Sequence, residues 1–109
     1  MPYDPQLMER LRKITRDHFP NLVEKSMFGG FGFFINGNYA YGASNNLVVR
    51  VGPEKFEDSL AQPHVRVMDI TGRPMKGWVF VDGPGIATNE QLRVWMQTGV
   101  DFASQLPAK

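Results

Sequence analysis

Residues 27–42 read MFGGFGFFINGNYAYG, and no other stretch restricts the fold as much. Asn36-Gly37 is a dipeptide that accepts the positive φ angles of a tight hairpin turn. The flanking residues are rich in aromatic rings, which favour strands. The sequence therefore predicts strands over 27–35 and 39–43. A second polar pair, Asn45-Asn46, leads into LVVRV at 47–51 and extends the hairpin to a three-stranded antiparallel meander. Phe31, Phe33 and Ile35 alternate with Phe34, and Tyr39 and Tyr41 add further rings, so both faces carry bulk. A sheet with helices on one face and water on the other alternates apolar with polar residues. Three short helices are too few to cover both faces of this one. The expectation is a homodimer through the sheet, with Phe31, Phe33, Phe34, Tyr39 and Tyr41 as the dimer or partner face.

Two functional motifs overlap this stretch, and neither fits its context. GFGF at 30–33 matches the centre of the RNA-recognition strand pattern. The first position, Gly29, lacks the required cation, and the last, Asn36, lacks the required ring. That fold also needs an aromatic strand and a helix ahead of this one, so that two strands stack bases side by side. Ahead of Gly29 the sequence predicts essentially one helix. GGFG at 29–32 resembles a phosphate loop, but such loops run into a helix N-terminus. These glycines run into more strand, where glycine marks a bulge or a close backbone approach.

The rest of the chain supplies helices and two more strands. Asp4-Pro5 is a helix start, and Leu7, Leu11, Ile14 and His18 form an apolar stripe up to Pro20. The opposite side carries Glu9, Arg10, Arg12, Lys13, Arg16 and Asp17, whose interleaved signs describe a solvated face with Glu9–Lys13 and Lys13–Asp17 pairs. A short helix is expected over 53–61, with Phe56 and Leu60 inward. A strand follows over 65–70, then a loop (TGRPMKG, 71–77) and a strand over 78–81. Thr88 with Gln91 makes a capping box for a last helix. Leu92, Trp95, Met96, Gly99, Phe102, Ala103 and Leu106 recur at helical spacing along it. The predicted architecture is α+β, in the order α-β(3)-α-β(2)-α, with helices packed on an antiparallel sheet. One domain over 1–109 accounts for the length.

Composition excludes several function classes. The net charge of +1 gives no strong field toward nucleic acid or membrane. The chain has no cysteine, hence no disulfide, thiol catalysis or cysteine metal site. The polar N-terminus has no signal-peptide core and no stretch suits a membrane span, so a cytoplasmic location without membrane association is expected. His18 and His64 lack a spaced second ligand, and His18 reads as a core or edge residue, so no metal is expected. Ser44 in GASNN is not a nucleophile elbow. Glu54, Glu57 and Asp58 suit a helix N-terminus. No catalytic residue and no cofactor is expected, and the chain reads as a non-enzyme. Arg73 and Lys76 beside Trp78 remain as a cation pair next to a ring, a pattern that can hold an anion.

Taken together, MFGG at 27–30 with its aromatic hairpin, LVVRVGPE at 47–54, MDITGRPMKGWVFV at 68–81 and the closing helix with Trp95 resemble the TfoX N-terminal domain family (TfoX/Sxy) over about residues 7–106. The resemblance implies a secretion-chaperone-like α+β fold and a bacterial regulatory domain. The family's named member regulates natural competence and carries a second, helical domain. This sequence ends at Lys109 without one, and is expected to be a stand-alone single-domain member. The resemblance transfers no catalytic residue. The resulting expectation is a non-enzymatic regulatory or protein-binding module that meets its partner through Arg50, Arg73, Lys76 and Trp78. The alternative is nucleic-acid binding through the basic face of the first helix and the Arg73/Lys76 loop.

Overall fold

The structure, a computed structural model, describes residues 4–27, 30–44, 46–69 and 75–108. Phe28, Gly29, Asn45 and the 70–74 stretch with Arg73 lie outside the described residues.

Helix α1 (Pro5–His18) starts where the sequence predicts. The Asp4 carboxylate accepts hydrogen bonds from the backbone N–H of Gln6 at 2.9 Å and of Leu7 at 3.4 Å. It buries Leu7, Met8, Leu11, Ile14 and Thr15. His18 is exposed, not on the buried stripe. The helix ends at His18 and Phe19 turns in against the core, so the imidazole is left outside.

The sheet gains a strand. The sequence predicts one long strand over 27–35, but Met27 closes a separate strand, β1 (Val23–Met27). Its sequence, VEKSM, is polar because it forms an edge of the sheet, where water meets it. The following strands are β2 (Gly30–Ile35), β3 (Asn38–Ala43) and β4 (Leu47–Arg50). Helix α2 (Phe56–Leu60) and strand β5 (Val65–Val67) are shorter than predicted, and β6 (Trp78–Val81) is as predicted. A 3₁₀ turn at Gly83–Ile86 leads to α3 (Asn89–Ala103), which opens with the expected capping box: Gln91 N–H donates to Thr88 Oγ1 at 3.1 Å and Thr88 N–H to Gln91 Oε1 at 2.9 Å. All neighbours in the order β1-β2-β3-β4-β6-β5 are antiparallel. The α+β architecture stands, with four strands before α2 in place of three. β1 does not revive the RNA-recognition reading, because it sets no ring beside β2.

The predicted turn is present, with φ of 52° at Asn36 and 82° at Gly37. Just beyond it the register slips: Phe33 pairs with Tyr41 but Phe34 pairs with Tyr39, so Ala40 is an extra residue. The bulge puts Tyr41 and Tyr39 on opposite faces, although strict alternation would put them on one. Tyr41, Phe33, Val49 and Val79 point to the face covered by α1 and α3, where they join Leu11, Leu92 and Met96 in the main core. There the Tyr41 hydroxyl and the Thr15 hydroxyl of α1 share a hydrogen bond.

Candidate functional site: the helix-free face of the sheet

The opposite face bears a second, smaller cluster. Tyr39, Val48, Met68 and Phe80 are buried in it, with Phe34, Met75 and Trp78 packed around them. Among the described residues none of its members comes from a helix. Tyr39 lies at its centre, 4.8 Å from the Trp78 ring and 5.4 Å from Phe34, centroid to centroid. The ring can lie flat because Gly32 and Gly42 sit beneath it. A Cβ on Gly32 would meet the Tyr39 ring carbons, and one on Gly42 the Tyr39 hydroxyl. Gly32 of GFGF and Gly42 of β3 thus make a trough for a tyrosine of the same hairpin.

This arrangement alters the expected dimer face. Phe33, Tyr39 and Tyr41 are buried within the single chain, and Phe31 and Phe34 are half-buried. Met68 and Met75, at the two ends of the β5–β6 connection, pack into the second cluster. Their backbones meet: Met75 N–H donates to the Met68 carbonyl at 2.9 Å.

Cations rim the cluster. Register sends Glu24 of β1 to the helix side, opposite Phe33, where Arg12 of α1 holds it through two 2.9 Å hydrogen bonds. Its neighbour Lys25 goes to the other side, opposite Gly32, with Nζ 5.3 Å from the Phe34 ring centre. Arg66 of β5 lies 4.7 Å from the Phe80 ring and pairs with Asp82 at 3.3 Å. Arg50 of β4 lies opposite Trp78 in register, 5.1 Å from its ring and 5.4 Å from the ring of Phe102 on α3. Among the described residues, the charged strand residues on this face, Lys25, Arg50 and Arg66, are all cations, with Asp82 just past β6 paired to Arg66. Such contacts stabilise by about 0.5–1 kcal/mol each at exposed sites, too little to define the fold.

Of the sequence-predicted site residues, Arg50 and Trp78 meet directly. Lys76 is exposed in the turn before β6. That turn is tied to the end of β4, since the Gly77 carbonyl accepts from Val51 N–H at 2.8 Å and Gly52 N–H at 3.1 Å. Arg73 lies outside the described residues. Lys25 and Arg66 are not among the sequence-predicted site residues, and Phe102 is expected only as part of the apolar stripe of the last helix. Arg66 was legible as the polar residue between Val65 and Val67, but Lys25 needed the unrecognised strand, and Phe102 needed the packing of α3.

Burial is the main electrostatic influence here. It pushes the phenol of Tyr39 far above its ordinary value of 10.0, and that of Tyr41 as well, although the Thr15 hydrogen bond offsets part of the latter. It pulls Arg50 below the ordinary arginine value. Among the described residues no three His, Asp or Glu gather to hold a metal ion.

The basic face of α1 is largely engaged within the molecule. Arg10 donates to the Ile86 carbonyl at 2.7 Å and to Asn89 Oδ1 at 3.1 Å, Arg12 holds Glu24, and Arg16 lies 3.7 Å from Asp17. The described ion pairs do not include the expected Glu9–Lys13 and Lys13–Asp17 pairs. No helix among the described residues is long and apolar enough to cross a membrane.

The profile of the TfoX N-terminal domain matches residues 15–103, from the last turn of α1 to the end of α3. The chain belongs to the TfoX N-terminal domain family. It is a family of regulatory domains without enzymatic activity. Comparison with curated proteins and with solved structures returned no match.

Proposed function

We propose that this TfoX N-terminal domain is a non-enzymatic regulatory module of the cytoplasm that docks an acidic protein partner on the helix-free face of its sheet. The observation that supports this most is the sorting of charge by register: Lys25, Arg50 and Arg66 all lie on the side of the second cluster, each over an aromatic ring, with Arg50 at the border where Phe102 of α3 also meets it. Rings and cations framed in this way suit a protein surface bearing carboxylates. A second copy of the chain is the other occupant to consider. An isologous pairing through this face would bring two cationic surfaces together, which favours an acidic partner instead. Nucleic acid is less favoured, because three arginines of α1 already hold acids or carbonyls of the same chain.

The test is capture of partners from the native cell, followed by reconstitution with the purified partner. Lys25→Glu is expected to weaken the complex about tenfold, or ~1.4 kcal/mol. A random DNA duplex is the parallel arm. Unchanged partner affinity in the variant contradicts the reading. So does duplex binding that falls steeply with salt, the signature of counterion release.

A further inference from the structure

We propose that Arg50 anchors a single carboxylate of the partner, an aspartate or glutamate side chain with an apolar residue beside it. This inference rests on the reading above and adds its chemistry. Arg50 differs from the other described arginines that bridge elements. Arg10, Arg12 and Arg66 all donate to an oxygen of the same chain. Arg50 is half-buried between Trp78 and Phe102, and among the described residues no oxygen accepts from it. The two rings attract the cation through their π-faces and leave the N–H donors of the guanidinium edge open to solvent, free of any oxygen of the described chain. Burial without a counter-charge also disfavours the cation, yet an arginine stays charged. A carboxylate entering in the guanidinium plane replaces solvent there with two parallel hydrogen bonds and supplies the counter-charge that the described chain does not.

The surroundings favour one carboxylate over a polyanion. Phe102 also walls a recess of about 130 Å³ with Val51, Pro53, Glu54, Lys55, Asp101 and Gln105. Val51, Pro53 and the ring give it apolar walls for a small side chain. Glu54 and Asp101 on its rim repel a run of phosphates but tolerate a lone acid seated on Arg50. Nucleic acid gains its affinity from many phosphate contacts at once, and two carboxylates against the single Lys55 in this recess work against that.

The experiment is an NMR titration of the labelled protein with the blocked tetrapeptide acetyl-Ala-Leu-Asp-Ala-amide. Its controls are the same peptide with Asn for Asp, inorganic phosphate, and a random DNA duplex. The Arg50 Nε–H, the Trp78 indole and the Phe102 ring are expected to shift saturably with the Asp peptide, and about tenfold more weakly with the Asn peptide. Arg50→Gln removes the response while the backbone spectrum stays folded. Arg50→Lys keeps the charge but not the fork, and weakens the response severalfold. If Arg50→Gln does not fold, Arg50→Lys and the Asn peptide still decide the matter. The proposal is overturned by absence of saturable shifts, by equal response to the two peptides, or by tighter binding of phosphate or duplex. If the peptide fails while the purified partner still occupies the helix-free face, the anchor is wrong and the docking reading stands. If the partner binds elsewhere, both fall.

Discussion

Tyr39 and Tyr41 stand two residues apart on one strand and serve two different cores. Tyr41 joins the helix-covered core and bonds Thr15, while Tyr39 fills the trough over Gly32 and Gly42. Both phenols are raised by burial above the ordinary value of 10.0. The unfolded chain therefore releases these protons at a lower pH than the folded one. Stability from keeping them neutral is complete below about pH 10 and is lost as pH rises from there toward the folded values, by up to ~1.4 kcal/mol per pH unit for each group. Urea unfolding followed against pH is expected to show a steep loss above that point, and Tyr41→Phe a shallower one. A flat profile in the wild type would contradict burial of the two rings. The sequence showed that rings face both ways but not which tyrosine went where. Ala40 breaks the alternation, and a bulge is a property of two paired strands, not of one run of residues.

At the scale of elements, α3 is the best-read part of the chain and β1 the worst. The helix declares itself through a capping box and a stripe of apolar residues. It rests against the bulged strand at Gly99, where a Cβ would collide with the Ala40 carbonyl oxygen. Helix propensity alone favours Gly99→Ala by about 1 kcal/mol. Collision with backbone reverses the sign, and thermal unfolding is expected to show a net loss of about 1–3 kcal/mol. A rise in melting temperature would mean that α3 does not approach β3 as described. β1 hid because an edge strand shields itself with charge, and VEKSM has too few strand-forming residues to be read as one. Its partner strand was legible; its own pairing with β2 emerged only from three dimensions.

Across the whole molecule, the fold was more legible than the site. Periodicity, turns and caps led to an α+β sheet with helices, and the family profile agrees. Trp78 was readable as a candidate because Arg73 and Lys76 stand just before it, with Arg50 a candidate beside it, but the pairing of Arg50 with Trp78 depends on the β4–β6 register. Their meeting with Phe102, and the alignment of Lys25 and Arg66 on the same face, depend on register and helix packing, which span the full length of the chain. That face is also where the cover is thinnest: two methionines and a rim of cations in place of a helix. The claim that a protein partner docks there is tested most directly by cross-saturation NMR with the purified partner bound to the labelled domain. The account predicts transfer concentrated at Lys25, Phe34, Arg50, Trp78 and Arg66. Transfer concentrated on the exposed sides of α1 and α3, with the helix-free face silent, would contradict it.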